Sequence, residues 1–158
     1  MKISVYAVGK VKGHLLQSIN DYLKMISKYS EIEVIEIKEA PIALKAGAKE
    51  IEAALNLEAE TILKRISEKE YIIALAPHGK KLDSIAFSEV LNDSFIKGQS
   101  RVSFIIGSSH GLSNTIYTRA HMTLSFSDLT FPHQLFRVMV LEQIFRAFKI
   151  LNNETYHK

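Results

Sequence analysis

Two short stretches of this 158-residue chain carry the groups that could do chemistry. The first, Gly107-Ser108-Ser109-His110-Gly111, offers backbone amides with little side-chain bulk, as a ligand that approaches the main chain closely requires. It also spells G-x-S-x-G, the turn that exposes a hydrolase nucleophile, with Asp128 and then His133 or His157 following in hydrolase order. No oxyanion motif such as HGGG precedes it, and the chain is short for that fold. The loop lacks the Gly-Lys-Ser/Thr of a phosphate loop and the third glycine of a dinucleotide fingerprint, which argues against a nucleoside triphosphate site. The second stretch is the terminal Tyr156-His157-Lys158, which joins a π-face, a near-neutral base and a cation. Such a set could stack on a nucleobase and move a proton, where an ordinary chain end would fray and do nothing. The histidines form no HExxH or His-x₃-His pair, so no metal is expected. Cysteine is absent, which excludes a disulfide framework, a Cys-ligated zinc site and a thiol nucleophile together.

Periodicity gives the elements that must position these groups. Strands are predicted at Ile3–Val8, Glu33–Lys38, Tyr71–Ala76, Val102–Ile106 and Met122–Phe126. Helices are predicted over His14–Lys28, Ala46–Ser67, from an Asp83 cap to Ile96, from a Ser113 cap to Arg119, and from Pro132 in the first turn to Leu151. Strands alternating with helices predict an α/β fold with a mainly parallel sheet, and continuous apolar strands mean helices on both faces. With no linker, repeat or low-complexity segment, residues 1–158 read as a single domain. Ligands in open α/β sheets bind beyond the carboxyl ends of the strands. Three successive loops qualify: Pro77-His78-Gly79, Gly107–Gly111 and Phe126–Phe131.

Charge and apolar excess bear on partners. Residues 1–79 hold eleven Lys/Arg and eleven Asp/Glu, whereas 80–158 hold nine against six, so the whole net charge of +3 lies in the second half. That bias suits a polyanionic partner. Twelve of residues 134–151 are apolar, more than one stripe needs, so a partner subunit or burial within the chain must cover the rest. Arg137, Glu142, Arg146 and Lys149 interrupt the same stretch, which excludes a membrane span there. The opening MKISVYAVGK is too short and too punctuated for a signal peptide, so a cytoplasmic location is expected.

KISVYAVGK at the start, IIGSSHGLS at 105–113, LSFSDLTFPHQLFRVMVLEQIFRAFKI at 124–150 and the terminal YHK together resemble the ribosomal RNA large subunit methyltransferase H family, of the SPOUT class. The resemblance spans the whole chain. It implies methyl transfer from S-adenosylmethionine to N3 of a pseudouridine in 23S ribosomal RNA on the assembled 70S ribosome. It also implies a homodimer and a C-terminal trefoil knot, which periodicity could not reveal. Cofactor contacts of the family fall on positions matching Leu75, Gly107 and the run Phe126, Ser127, Asp128, Leu129, Thr130 and Phe131, on or beside the same three loops. Ser108 stands where the family usually has Gly, His110 where it often has Glu or Asn, and Pro77-His78 replaces a more variable pair.

On that resemblance a sulfonium already activates the methyl, so catalysis is largely positional and needs no metal. A neutral imide nitrogen is a poor nucleophile, so its proton must leave. His157 is the candidate base, Tyr156 would stack on or orient the target, and Arg137 could offset developing negative charge. Arg137 could equally pair with Glu142 or contact a phosphate. Two other classes stay open: a non-enzymatic ribosome- or RNA-binding factor, and a small serine esterase using Ser109.

Overall fold

A computed structural model describes residues 2–158. Five strands and five helices alternate: β1 (Lys2–Val8), α1 (His14–Ile26), β2 (Glu31–Ile37), α2 (Ala48–Leu63), β3 (Glu70–Lys81), α3 (Ser84–Ile96), β4 (Arg101–Ile106), α4 (Asn114–Arg119), β5 (Met122–Ser125) and α5 (His133–Leu151). The strands form one sheet in the order β2-β1-β4-β3-β5, and every neighbouring pair is parallel. The α/β class and the parallel sheet agree with the sequence pattern.

Alternation along the strands divides the core in two. Ile3, Val5 and Ala7 of β1, Ile73 and Leu75 of β3, and Val102, Phe104 and Ile106 of β4 face α1, α3 and α5. Tyr6 and Val8, Ile72 and Ala74, and Ile105 face α2 and α4 on the other side. Both faces are covered, which is why the strands read as unbroken apolar runs. Asp83 and Ser113 cap α3 and α4 by accepting from the Ala86 and Thr115 amides at 2.8 and 3.1 Å. Pro132 sits one position earlier than expected, at the cap of α5 with extended backbone.

One strand departs from its predicted limits. β3 does not end at Ala76: Leu75 pairs with Leu124, the chain leaves the ladder for four residues, and Lys80 returns to pair with the same Leu124. Gly79 makes the return possible. A Cβ there would stand 2.6 Å from the Leu124 carbonyl carbon, so only glycine lets the two backbones close. No helix among the described residues is long and apolar enough to cross a membrane.

Candidate functional site

The strand order places β4, β3 and β5 side by side, so the chain beyond Ile106, Leu75 and Ser125 converges at one carboxyl edge. A cavity of about 550 Å³ opens there, within the range of small-molecule sites. Its walls are Leu75, Ala76 and Pro77 from the β3 excursion, Ile106 to Ser109 and Gly111 from the second loop, and Leu124 to Ser127, Leu129, Thr130 and Phe131 from the third. His133 and Phe136 of α5 close it. Phe136 meets Phe126 edge-on at 5.0 Å and lies parallel to Phe131 at 6.3 Å, giving flat apolar surface for a ring.

Each loop is braced internally. Gly111 donates its amide to the Ser108 carbonyl at 2.9 Å, tightening 107–111 into a turn. A Cβ on Gly107 would stand 2.3 Å from the Gly111 carbonyl oxygen. The glycine is thus required by the turn itself, whatever a ligand also needs. Ser127 accepts from the Leu129 amide at 3.0 Å, and its carbonyl accepts from Ser125 Oγ at 3.1 Å. Asp128 points outward to an ion pair with Lys81. The buried Ser108 hydroxyl has no partner, leaving one polar group in the cavity wall unsatisfied.

This cavity fits the methyl donor implied by the resemblance. It has apolar faces for an aromatic base, main-chain donors and acceptors along two loops, and an orphaned hydroxyl. Leu75, Gly107, Phe126, Ser127, Leu129, Thr130 and Phe131 all line it, while Asp128 flanks it. Sequence reading named Pro77 as part of a candidate loop and His133 only as a possible hydrolase partner, and it missed Ala76 and Phe136, because the β3 excursion and the return of α5 over the sheet edge are tertiary events.

A second cavity of about 630 Å³ shares Leu124, Ser125 and Phe126 with the first. Tyr22, Asp83, Ser84, Phe87, Glu142, Gln143 and His157 also line it. The tail is thereby brought beside the loop cavity. It is anchored, not frayed: Tyr29 Oη donates to Glu154 at 3.0 Å and Lys149 pairs with the same carboxylate. Tyr156 meets Phe145 edge-on at 5.0 Å and donates to Glu142 Oε1 at 3.1 Å. Burial, together with the Glu142 carboxylate, pushes its phenol up to about 12. The Arg146 guanidinium lies 4.7 Å from the Tyr156 ring centroid. The ring is thus held between Phe145 and Arg146, where it anchors the tail.

Arg137 lies elsewhere. It is 1% exposed, with Nη1 donating to Glu36 at 3.1 Å and Nη2 to the Gly9 carbonyl at 3.2 Å. Its ion partner is Glu36 of β2, not Glu142, and it ties α5 to the end of β1. Glu142 instead holds Arg146, which donates through Nε and Nη2 at 3.1 and 2.7 Å. The i,i+4 spacing of that pair was the available signal in the sequence.

The hydrolase relay is not assembled. Ser109 Oγ reaches only as far as His110 Nδ1, at 3.4 Å, and Asp128 is paired with Lys81.

Comparison with known proteins adds an independent finding. Residues 1–157 match a family model described as "Predicted SPOUT methyltransferase". Proteins named ribosomal RNA large subunit methyltransferase H from Clostridium tetani (strain Massachusetts / E88) and Clostridium botulinum (strain Hall) are each 43% identical over 159 residues, covering all of both chains. A solved structure of a "probable methylase family protein" from Haemophilus influenzae Rd KW20 matches the fold with a TM-score of 0.55 at 13% identity, over 99% of this chain and 70% of that one.

Proposed function

The chain belongs to the SPOUT methyltransferase family, and on that premise we propose that it methylates N3 of a pseudouridine in 23S ribosomal RNA, with S-adenosylmethionine as donor and the assembled 70S ribosome as substrate. The observation that carries the reading is the convergence of the loops after β3, β4 and β5 on one apolar cavity, open beside a second that the tail enters. The names of the full-length relatives support ribosomal RNA as the substrate class.

In this reading the first cavity holds the cofactor. Phe126, Phe131 and Phe136 take its base, and the main chain of 107–111 and 126–131 fixes its polar groups. When bound, S-adenosylmethionine supplies an activated methyl whose carbon–sulfur electron pair stays on sulfur. The target nucleoside enters the second cavity, beside His157. Tyr156 fixes the tail, and Arg137, buried under the sheet edge, positions α5. The cation nearest the target is Arg146, which is partly exposed and stands behind His157, whereas Arg137 is buried away from the second cavity.

The protein acts as a homodimer in the cytoplasm, where ribosomes are, and its C-terminal half forms a trefoil knot. Supporting the dimer, Leu135 of α5 and Leu129 of the adjoining loop are 39% and 71% exposed, and Val138 and Met139 are only partly covered. Supporting the knot, the chain crosses from β5 at one edge of the sheet to seat α5 beside Gly9 of β1.

Calorimetry with S-adenosylmethionine, followed by methylation of 70S ribosomes from a strain lacking the activity with the modified nucleotide mapped, tests the reading. Binding and a single N3-methylated pseudouridine are expected. Ribosome association without cofactor binding would return the protein to the class of non-enzymatic binding factors.

A further inference from the structure

We infer that His157 serves the target base as a hydrogen-bond donor through Nε2, its tautomer held by Arg146, and does not take the imide proton. The inference rests on the methyltransferase reading above and concerns only how the tail takes part.

Arg146 Nη1 lies 3.4 Å from His157 Nδ1. A guanidinium carries five N–H donors and no acceptor, so the imidazole nitrogen that faces it must be bare. A neutral ring with a bare Nδ1 carries its proton on Nε2, the nitrogen left to reach the second cavity that His157 lines.

The arginine is held in place. Nε and Nη2 both donate to Glu142 Oε1, and Tyr156 flanks the guanidinium plane. Glu142 Oε1 also accepts from Tyr156 Oη, and Glu142 Oε2 from Gln143 Nε2 at 2.8 Å. Gln143 Oε1 in turn accepts from Ser84 Oγ at 2.8 Å. Glu142 and Arg146 are therefore positioning residues, joining α3, α5 and the tail in one network. The titratable and charged groups around the His157 ring are Arg146 and Glu142 on α5, Tyr22 on α1, Asp83 before α3, and Tyr156 and Lys158 on the tail.

An N–H donor suits this chemistry. As the imide nitrogen loses its proton, negative charge spreads onto the flanking carbonyl oxygens, where a fixed donor backed by a cation stabilises it. The proton passes to bulk water, and its electron pair stays on nitrogen to form the new N–C bond.

Two measurements decide the inference, and unmodified enzyme turning over on ribosomes is the control for the underlying reading. In the first, His157→Ala is expected to lose about 10²–10³ in turnover, the usual worth of one preorganised donor. His157→Gln, which keeps an N–H donor but cannot act as a base at neutral pH, should stay within about tenfold of the unmodified enzyme. The rate of His157→Gln should rise with pH as that of the unmodified enzyme does. In the second, ¹⁵N NMR of the full chain, with the ring assigned by its loss in His157→Gln, should show a bare Nδ1 and a protonated Nε2 in the neutral state. Arg146→Met should relax that preference to the few-fold Nε2–H excess of a free imidazole. A His157→Gln enzyme as slow as His157→Ala at unchanged cofactor affinity would overturn the inference, as would an Nδ1–H tautomer or an unchanged tautomer ratio in Arg146→Met. Failure of the unmodified enzyme on ribosomes would instead overturn the methyltransferase assignment, and the NMR result would still decide the tautomer.

Discussion

A Cβ on Gly107 would collide with the Gly111 carbonyl at 2.3 Å, which changes what a substitution there can report. Gly107→Val should deform the 107–111 turn at a cost of about 1–3 kcal/mol, the range for overpacked sites. Cofactor affinity and thermal stability should fall together, as titration and melting of the same sample would show. Ser109→Ala should change stability by no more than about 0.5 kcal/mol and leave turnover intact, since its exposed hydroxyl reaches only its neighbour. A methyltransferase inactivated by Ser109→Ala would contradict this placement. Glu58 of α2 is a different case: it is 4% exposed, and both its carboxylate oxygens lack partners. Burial, reinforced by the nearby Glu39 charge, raises its carboxyl to about 7. The folded state thus holds this proton up to about pH 7, whereas the unfolded chain releases it near the ordinary Glu value. Stability should fall as pH rises from about 4.5 through 7 and level off above. Glu58→Gln should be more stable than the natural chain at pH 8 and nearly equal to it at pH 4, as denaturant melts at the two pH values would reveal.

α5 shows how an element can be read correctly in kind while its cover stays open. Its twelve apolar positions demand cover on more than one side, and the chain itself supplies much of it: α1 and α3 pack against α5 and bury Val140, Leu141, Ile144, Phe145 and Phe148. Phe145 and Phe148 are therefore core residues, at 7% and 2% exposure, and cannot test a dimer. Phe145→Asp should unfold the chain, because an unpaired carboxylate would replace a ring packed against Tyr22 and Tyr156. Leu135 lies on the partly open side, 39% exposed and outside both cavities. Leu135→Asp should break the proposed dimer while leaving the melting temperature of the fold nearly unchanged, as light scattering beside a thermal melt would show. Monomers that retain full activity would contradict the dimer. The period-two and period-3.6 patterns could locate every strand and helix, because each signal is local. They could not show that β3 leaves and rejoins its partner at one residue, since that depends on Gly79 meeting the backbone of β5. The tail was legible by residue type and not by role: only packing shows that Tyr156 is an anchor and that Glu142 and Arg146 stand behind His157.

At the scale of the molecule, strand order decides everything that local patterns leave open. Ile106, Leu75 and Ser125 are far apart in sequence, and nothing in their neighbourhoods says that their strands lie side by side. Given the order β4-β3-β5, the three loops must share one cavity, and the last helix must then cross the sheet edge to reach α1. This geometry leaves little surface for reading RNA sequence. The chain carries a formal charge of only +3, and several cations are already paired: Lys81 with Asp128, Arg101 with Glu33, Arg137 with Glu36, and Arg146 with Glu142. With cations and anions nearly balanced, few phosphates meet a net-positive patch, and each one neutralised contributes roughly one unit to the slope of log affinity against log salt. So small a net charge on one small domain suits the proposed recognition of a preformed shape better than sequence readout on flexible RNA. Turnover on 70S ribosomes should exceed that on naked 23S RNA by at least about 10²-fold. The salt slope on ribosomes should be shallow, on the order of 2 to 4, as expected for a few phosphate contacts. Competition between the two substrates at several salt concentrations measures both quantities in one series. Equal rates on ribosomes and naked RNA, or a slope near 10, would mean that the chain reads RNA through a broad phosphate-contacting surface and not through a preformed shape.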